Sequence, residues 1–227
     1  MTTKLLSRVR LRDDVPAAAL RAVLMPEDKA ARAATSHQLI WTLFADSPER
    51  ERDFLWREHQ PGLFYLLSER VPSDLHGLFD VAPPKDFALA LKVGDRLTFD
   101  LRVNATVARG GGPGVRGKPC DIVMDAIHKL PVANRAESRT NAMNTVARAW
   151  MERAGARSGF DLSELEVLGY SAIEMHRGRH RASAKFGVLD LHGILSVSDP
   201  TLFVSSLSAG FGRAKAFGCG LMMVRRA

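Results

Sequence analysis

The order of elements predicted from the 227 residues indicates an α+β fold in which the succession β-α-β-β-α-β occurs twice. Strict apolar alternation over residues 97–103 is typical of a half-buried strand, and helical apolar spacing marks residues 28–45 and 138–154. That succession is ferredoxin-like. We therefore predict two tandem ferredoxin-like (β-α-β-β-α-β) domains, at residues 1–92 and 93–227.

The first domain is predicted to contain, in chain order, a strand, a helix, two strands, a short helix and a strand. Their residues are 5–11, 28–45, 53–58, 63–68, 75–81 and 87–91. The long helix should stop before Asp46-Ser47-Pro48, because such a sequence ends helices. The two middle strands should be joined through Gln60-Pro61-Gly62, which favours a turn.

The second domain is predicted to contain a strand, a Gly-rich loop, a long helix, two hairpin strands, a closing helix and a last strand. Apart from the closing helix, their residues are 96–107, 108–119, 138–154, 165–175, 186–197 and 221–224. Asp199 is a good N-cap for the closing helix and Pro200 a good first residue. Gly210 should end that helix.

The composition excludes several classes of protein. With 25% charged and 46% hydrophobic residues, the chain is typical of a globular protein. Two cysteines, Cys120 and Cys219, argue against a disulfide framework and favour a reducing compartment. No apolar run approaches membrane-spanning length, and the N-terminus lacks the apolar core of a signal peptide. We expect a cytoplasmic protein with no membrane contact.

The net charge of +7 is unevenly distributed along the chain. Residues 176–227 contain eight Lys and Arg residues against two Asp residues. Such an asymmetry favours a polyanionic partner, of which nucleic acid is the commonest.

A Gly-rich segment with two cations lies between the closing helix and the last strand. Its glycines and cations are Gly210, Gly212, Arg213, Lys215, Gly218 and Gly220. A dinucleotide site is excluded, because it needs a strand before the glycines and a βαβ unit after them. The segment is either a phosphate cradle or a Gly-rich turn that supports the sheet.

Four stretches of the sequence resemble one family. The C-terminal GFGRAKAFGCGLMMV, the opening LLSRVRL and the helix HQLIWTLF followed by ERDFLW are similar to the CasE-type repeat-processing endoribonucleases of type I-E CRISPR systems, in the RAMP superfamily. The resemblance spans the chain from its first strand to its last. The Gly-rich segment is its most specific part.

The resemblance implies a fold, an activity and partners. The fold would be a pair of ferredoxin-like domains, and the activity metal-independent cleavage of CRISPR precursor RNA at the 3′ base of the repeat stem-loop, with no cofactor. The enzyme would stay on the mature guide RNA as a subunit of the RNA-guided surveillance complex. Its partners would be the repeat RNA hairpin and the other subunits of that complex.

His37 is the candidate catalytic residue. Histidine is the usual acid–base residue near neutral pH, although a histidine beside an apolar helix face is more often packed or solvated. The resemblance places His37 at the family's catalytic histidine. The ribose 2′-hydroxyl would attack the adjacent phosphate and give a 2′,3′-cyclic phosphate and a 5′-hydroxyl. His37 would move a proton at either the 2′-oxygen or the departing 5′-oxygen.

The sequence departs from the family pattern one helical turn before His37. Relatives often have a tyrosine there, and this chain has Ala34. Ser36 and Thr35 are nearby hydroxyls and therefore candidates for the second catalytic group, but their spacing points them differently. A lysine or arginine from the C-terminal half is the alternative, as is slow cleavage that depends on positioning.

RNA binding is predicted at two places. Arg177, Arg179 and Arg181 alternate at a hairpin tip and would share one side of an extended chain, with Lys185 continuing the basic surface. Arginine at a hairpin tip suits the phosphates and guanine edges of an RNA stem. The Gly-rich segment, with its two cations, is the second place. A solvated basic turn is the alternative for the first.

Two other functions are weighed against cleavage. A non-catalytic RNA-hairpin-binding subunit on the same fold would have a structural His37, and Ala34 would mark lost activity. A small-molecule enzyme built on the Gly-rich segment would bind nucleotides without RNA. No metal site is predicted, since the glycine and arginines around His176 and His180 argue against one.

Overall fold

The computed structural model describes residues 4–14, 23–45, 52–110, 117–175 and 184–227. By its contacts the chain divides into two compact units. The first contains the described residues of Met1–Ala90, Ile173–Lys185 and Ala214–Leu221, and the second those of Leu91–Ala172, Phe186–Arg213 and Met222–Ala227. Parts of the C-terminal half thus cluster with the N-terminal residues.

The first unit is built on a five-stranded sheet and, among its described residues, one α-helix. Its elements are β1 (Leu5–Leu11), α1 (Lys29–Thr42), β2 (Phe54–Gln60), β3 (Leu63–Ser68), β4 (Phe79–Val81) and β5 (Lys85–Asp86). The strand order is β2-β3-β1-β4, with β5 also pairing with β1, and each of these pairings is antiparallel.

The core of the first unit lies between α1 and one face of this sheet. Alternation along β1 sends Val9 and Leu11 into the core, and the matching face of β2 and β3 adds Trp56 and Phe64. The helix adds a stripe of buried residues: Leu39, Ile40, Leu43 and Phe44. At about 25 cal/mol per Å² of apolar surface removed from water, burial of these large side chains is the main favourable contribution to folding.

The second unit is built on a four-stranded sheet with helices in its connections. Its elements are β6 (Arg96–Val103), β7 (Thr106–Arg109), β8 (Lys118–Asp121), α2 (Ile122–Lys129), α3 (Arg135–Ser158), β9 (Phe160–Met175), β10 (Ala184–Val197), α4 (Pro200–Ala209) and β11 (Met222–Arg226). The strand order is β11-β6-β10-β9, and β7 and β8 form a separate hairpin. The strands and helices give a mixed α/β chain with antiparallel sheets, as predicted.

Several element boundaries are confirmed. The first strand and the strand at Leu63–Ser68 have the predicted bounds. The helix α4 begins at Pro200 with the Asp199 carboxylate accepting from Leu202 N, and Gly210 follows its last residue.

Two elements predicted for the first half are wrong. Residues 75–81 do not form a helix, because the Asp74 carboxylate accepts from the backbone N–H groups of His76 and Phe79 and so turns the chain into β4. The strand expected at residues 87–91 is absent, and the pairing with β1 is made earlier, at Lys85–Asp86.

The second half contains two elements that the sequence reasoning missed. The strand predicted at residues 96–107 is interrupted after Val103, where Asn104 bridges to Arg213 and its side chain donates to the Gly187 carbonyl at 2.7 Å. The chain then forms the β7–β8 hairpin, and α2 follows with Asp121 as its N-cap.

Candidate active site

The helix α1 holds His37 at the edge of the core of the first unit. The helix begins where the Asp28 carboxylate accepts from Ala31 N at 2.7 Å, as an N-cap does. Its buried side includes Leu39 and Ile40, which pack into the core. His37 lies on the flank of this side and is half-buried, so its ring has both a packed edge and an exposed one.

The ring of His37 is fixed by a backbone carbonyl and two aromatic side chains. Its Nδ1 lies 2.8 Å from the Ala216 carbonyl oxygen. The Phe217 ring is 5.2 Å away between centroids, and the Trp41 ring is 6.3 Å away, edge-on. Because a carbonyl oxygen only accepts, Nδ1 carries the proton in this contact. In the neutral ring, Nε2 is therefore left as the acceptor.

The same carbonyl is held by a second donor from the sheet. Trp56 Nε1–H donates to the Ala216 oxygen at 3.0 Å, and the Trp56 side chain is only 2% exposed. Ala216 is the middle residue of the 3-10 turn Lys215–Phe217, which Ala214 enters with φ of 52° and Gly218 leaves with φ of 74°. The carbonyl thus links the turn to both the helix and the sheet.

Both the backbone conformation and the contact with Trp56 require glycine at position 218. Its φ of 74° is in the left-handed region, which favours glycine. A Cβ there would also lie 2.9 Å from the Trp56 ring. The close approach of Trp56 to the turn therefore depends on the missing side chain.

The surroundings of His37 favour its neutral form. Burial lowers the pKa of His37, the hydrogen bond to the Ala216 carbonyl opposes that change, and the positive charge of Arg52 lowers the pKa further. The net direction is below the ordinary value of 6.5. At neutral pH the ring is then neutral, with a proton on Nδ1 and a lone pair on Nε2, which is the form a general base needs.

Lys215, in this turn, is affected by the charges of two further cations of the first unit, Arg52 and Lys4. Lys215 is half-buried, and burial followed by the charges of Arg52 and Lys4 lowers its pKa. Burial also lowers the pKa of Arg52. Lys4 lies 3.9 Å from the Glu69 carboxylate. Positive charge is thus concentrated beside the residue that could move a proton.

The two hydroxyls considered as a second catalytic group lie away from His37. Ser36 is 1% exposed and its Oγ is buried without a hydrogen-bond partner among the described residues. Thr35 is two positions from His37, about 200° around a helix, so it lies on nearly the opposite side.

The residues predicted to bind RNA differ in accessibility. Gly212, Arg213 and Lys185 are exposed, whereas Gly218 and Gly220 are buried. Gly210 follows α4 with φ of 75°. The remaining three, Arg177, Arg179 and Arg181, lie outside the described residues.

Sequence reasoning missed two contributors to this site. Arg52 stands in a run of charged residues with no pattern that distinguishes it. Trp56 is buried in the core, and its indole N–H donates a hydrogen bond to the Ala216 carbonyl. The Ala216 carbonyl belongs to the Gly-rich segment. The resemblance of that segment to the CasE-type family was the signal in the sequence that pointed to this part of the site.

Three further observations concern other classes of function. Within residues 4–14, 23–45, 52–110, 117–175 and 184–227, no three His, Cys, Asp or Glu side chains are grouped as metal ligands would be. None of the helices described here has the length and apolarity needed to cross a membrane. Cys120 and Cys219 are not joined in a disulfide.

Comparison with protein families gives a match over most of the chain. The family model described as "CRISPR associated protein" matches residues 5–226. The CRISPR-associated endoribonuclease Cse3 of Thermus thermophilus is 30% identical over 227 residues, which cover 89% of this chain and 96% of that protein. The Cascade subunit CasE of Escherichia coli is 25% identical over 192 residues, covering 82% and 88% respectively.

Comparison with solved structures shows that the fold is similar to those of Cse3 and Cas6e. A structure of the CRISPR endoribonuclease Cse3 bound to a 19-nt RNA matches with a TM-score of 0.68 and 25% identity, covering 98% of this chain and 99% of that one. Cas6e of Escherichia coli matches with a TM-score of 0.55 and 22% identity, over 98% of this chain and all of that one. The second likeness concerns the fold alone.

Proposed function

Because the chain belongs to the CRISPR-associated protein family, we propose that it is an endoribonuclease that cleaves CRISPR precursor RNA at the 3′ base of the repeat stem-loop. The relatives named as endoribonucleases support this activity, and one of them is bound to RNA in a solved structure. The observation that carries the proposal is His37, whose Nδ1 is engaged by the Ala216 carbonyl at 2.8 Å while Nε2 is left to act as a base.

The proposed reaction is an internal transesterification that needs no metal. Neutral His37 accepts the proton of the 2′-hydroxyl at Nε2. The 2′-oxygen–phosphorus bond forms, the bond from phosphorus to the 5′-oxygen breaks, and the leaving oxygen takes a proton from water. The products are a 2′,3′-cyclic phosphate and a 5′-hydroxyl, and His37 then releases its proton to solvent. General base catalysis of this kind contributes about 10²–10⁴-fold in rate.

We propose that the chain divides near residue 92 into two ferredoxin-like domains, each of which contains most of one unit. The strand orders β4-β1-β3-β2 and β11-β6-β10-β9 support this, because each places the fourth strand beside the first and the third beside the second. The second unit has helices in both of its connections, as that fold requires. In the first unit, residues 69–78 form no helix.

The proposed partners are the repeat RNA hairpin and the other subunits of a surveillance complex. Two observations support them: one relative is named as a Cascade subunit, and another is seen with RNA. Lys185 and Arg213 are exposed cations that could contact the stem, and Arg177, Arg179 and Arg181 stay predictions. A reducing, cytoplasmic compartment likewise stays a prediction that rests on the two cysteines.

The test uses the protein and the repeat RNA encoded beside it, with excess EDTA. Cleavage of wild-type RNA is measured under single turnover, and binding is measured with an RNA that has a 2′-deoxy ribose at the cleavage site. We expect one cleavage site, a 2′,3′-cyclic phosphate end, and a loss of about 10²–10⁴-fold in rate for His37→Ala, with binding retained.

The matched control is His59→Ala, since His59 is an exposed histidine of the same unit. We expect this variant to cleave as the wild type does. Tight binding without cleavage by the wild type would instead favour the non-catalytic RNA-binding subunit, which the replacement of the family's tyrosine by Ala34 also suggests. An absence of binding would contradict both proposals.

A further inference from the structure

The cations beside His37 place like charges close together, and this does not help the chain to fold. Lys215 is close enough to Arg52 and Lys4 for their charges to act on it, and all three side chains are partly buried. Like charges that are partly removed from water oppose folding, because the interaction is screened less than on an open surface. Such an arrangement is commonly kept where a ligand of opposite charge binds.

Arg52 differs from Arg70, another arginine of this unit, in its partners. Arg70 makes a two-point ion pair with Asp53, at 2.7 and 3.0 Å, and lies 5.4 Å above the Phe44 ring. Arg52 has no carboxylate at ion-pair distance among the described residues, and its Nη1 is buried without an acceptor there. Its neighbour Asp53 is already engaged by Arg70. The guanidinium is therefore held in place without a counter-charge among those residues.

Arg52 and Lys215 are connected with His37 in two ways. Arg52 acts electrostatically on both His37 and Lys215. Lys215 is the residue before Ala216, whose carbonyl oxygen receives the His37 Nδ1–H. An anion bound by Arg52 and Lys215 would consequently lie at the turn whose carbonyl holds the His37 ring.

We propose that Arg52 and Lys215 bind the non-bridging oxygens of the scissile phosphodiester and stabilise its negative charge as the 2′-oxygen attacks. This inference rests on the proposed function and names the second group that Ser36 and Thr35 do not supply. No bond to either cation forms or breaks. Arg52 offers planar donors to the phosphate and Lys215 a point charge, which is a common division of roles at phosphates.

Arg52 also tunes His37 before RNA arrives. Its positive charge favours the neutral imidazole in the free protein, which is the base. When the phosphate binds, its negative charge offsets that of Arg52, so that His37 takes up the 2′-hydroxyl proton more readily. The groups that face His37 in this account are Arg52, the Ala216 carbonyl and the bound phosphate.

The experiment compares Arg52→Gln and Lys215→Gln with wild type and with Lys92→Gln, a neutralised exposed lysine outside this cluster. Single-turnover cleavage and binding of the 2′-deoxy RNA are measured for each. We expect each of the first two variants to cleave about 10²-fold more slowly, as when one donor to a developing oxyanion is removed. Lys92→Gln should stay within about twofold of wild type, as most surface substitutions do.

A second readout separates contact with the phosphate from a structural role. Separate RNAs carry a sulfur in place of one or the other non-bridging oxygen at the scissile phosphate. Wild type should slow markedly with one of the two diastereomers, and Lys215→Gln should lose most of that discrimination. Lys215→Arg, which keeps the charge, should recover part of the rate, and it replaces Lys215→Gln if that variant does not fold.

The outcomes distinguish this inference from the proposed function. If wild type cleaves, His37→Ala does not, and both cation variants cleave at the wild-type rate, the phosphate-binding pair is wrong and the proposed function stands. If the cation variants slow but both diastereomers behave as in wild type, the cations act only on folding and the inference is again wrong. If wild type binds RNA and does not cleave it, both fail.

Discussion

The two halves of the Gly-rich segment are held in different ways. Gly212 and Arg213, in the second unit, are fixed by the backbone: Arg213 N donates to the Asn104 carbonyl at 3.1 Å, and a Cβ on Gly212 would lie 2.7 Å from that same oxygen. The turn Lys215–Phe217, in the first unit, is fixed by two side chains that donate to one carbonyl. The first half makes an isolated bridge between Arg213 and Asn104, whereas the second half orients a histidine.

This contrast shows that a run of glycines need not have one purpose. The sequence suggested either a phosphate cradle or a supporting turn, and both halves do contain supporting turns. Gly218 allows the Trp56 ring to approach, and Gly212 allows the chain to lie against β6. Only the second half brings a cation and a carbonyl beside His37. In the proposed mechanism, its contribution to chemistry comes from Lys215 and from the Ala216 oxygen.

The largest expected effects come from adding a methyl group to each half in turn. Gly218→Ala would strain a backbone with φ of 74° and push against Trp56, so the Ala216 carbonyl would shift from His37. We expect single-turnover cleavage to fall by about 10²-fold, the loss typical of a misplacement near 1 Å. Rates measured on folded protein, checked by circular dichroism, test this.

Gly212→Ala is the comparison for that variant. Its φ of 67° and the Val103 side chain both oppose a Cβ, so we expect the free energy of unfolding to fall by at least about 1 kcal/mol. The single-turnover rate of the folded protein should change little. Equal losses of rate in the two variants would mean that the halves do not differ as described.

A smaller effect is expected from removing one of the two donors to the Ala216 oxygen. Trp56→Phe keeps most of the ring in the core and removes the Nε1–H that donates at 3.0 Å. A neutral hydrogen bond of this kind contributes about 0.5–1.5 kcal/mol net. If that loss is felt in the transition state, cleavage slows by roughly 2- to 10-fold. Trp150→Phe, a buried tryptophan of the second unit, is the control that should leave the rate unchanged.

The smallest expected effect is a shift in the pH dependence of cleavage, and its direction follows from the charge of Arg52. Since neutral His37 is the base and its pKa lies below 6.5, the value of kcat/KM should fall only as the pH drops below the ordinary histidine range. Arg52→Gln removes a positive charge that lowers this pKa, so the acid limb should move to higher pH. An unchanged or downward-shifted limb in Arg52→Gln would contradict the coupling between the two residues.

Much of the fold could be predicted because local signals agreed with the tertiary structure. Asp199 caps its helix as its position suggested, and the apolar alternation of β6 is buried as expected. The helix α2 was missed although Asp121 is a good N-cap, because Pro119 and the glycines before it favoured a loop. The helix predicted at residues 75–81 is wrong because the apolar residues there were interpreted as a helical pattern. In the structure the Asp74 carboxylate accepts from Phe79 N and holds a turn instead.

The site was less predictable than the fold, for physical reasons. His37 was found through the resemblance, since its residue type and its place on the helix permit a structural role equally well. A backbone carbonyl such as that of Ala216 has no sequence signal, because every residue has one. Arg52 is functional in this account through burial and through the absence of a carboxylate among the described residues, and neither property can be seen in a run of charged letters.

The most direct test of this account is the tautomer and titration of His37 in the free protein, measured by nitrogen-15 NMR on histidine-labelled protein. The His37 signals are identified by their loss in His37→Ala. We expect a neutral ring protonated at Nδ1, with an unprotonated Nε2 and a pKa below 6.5. A ring protonated at Nε2, or one that titrates above 6.5, would contradict the assignment of His37 as the general base.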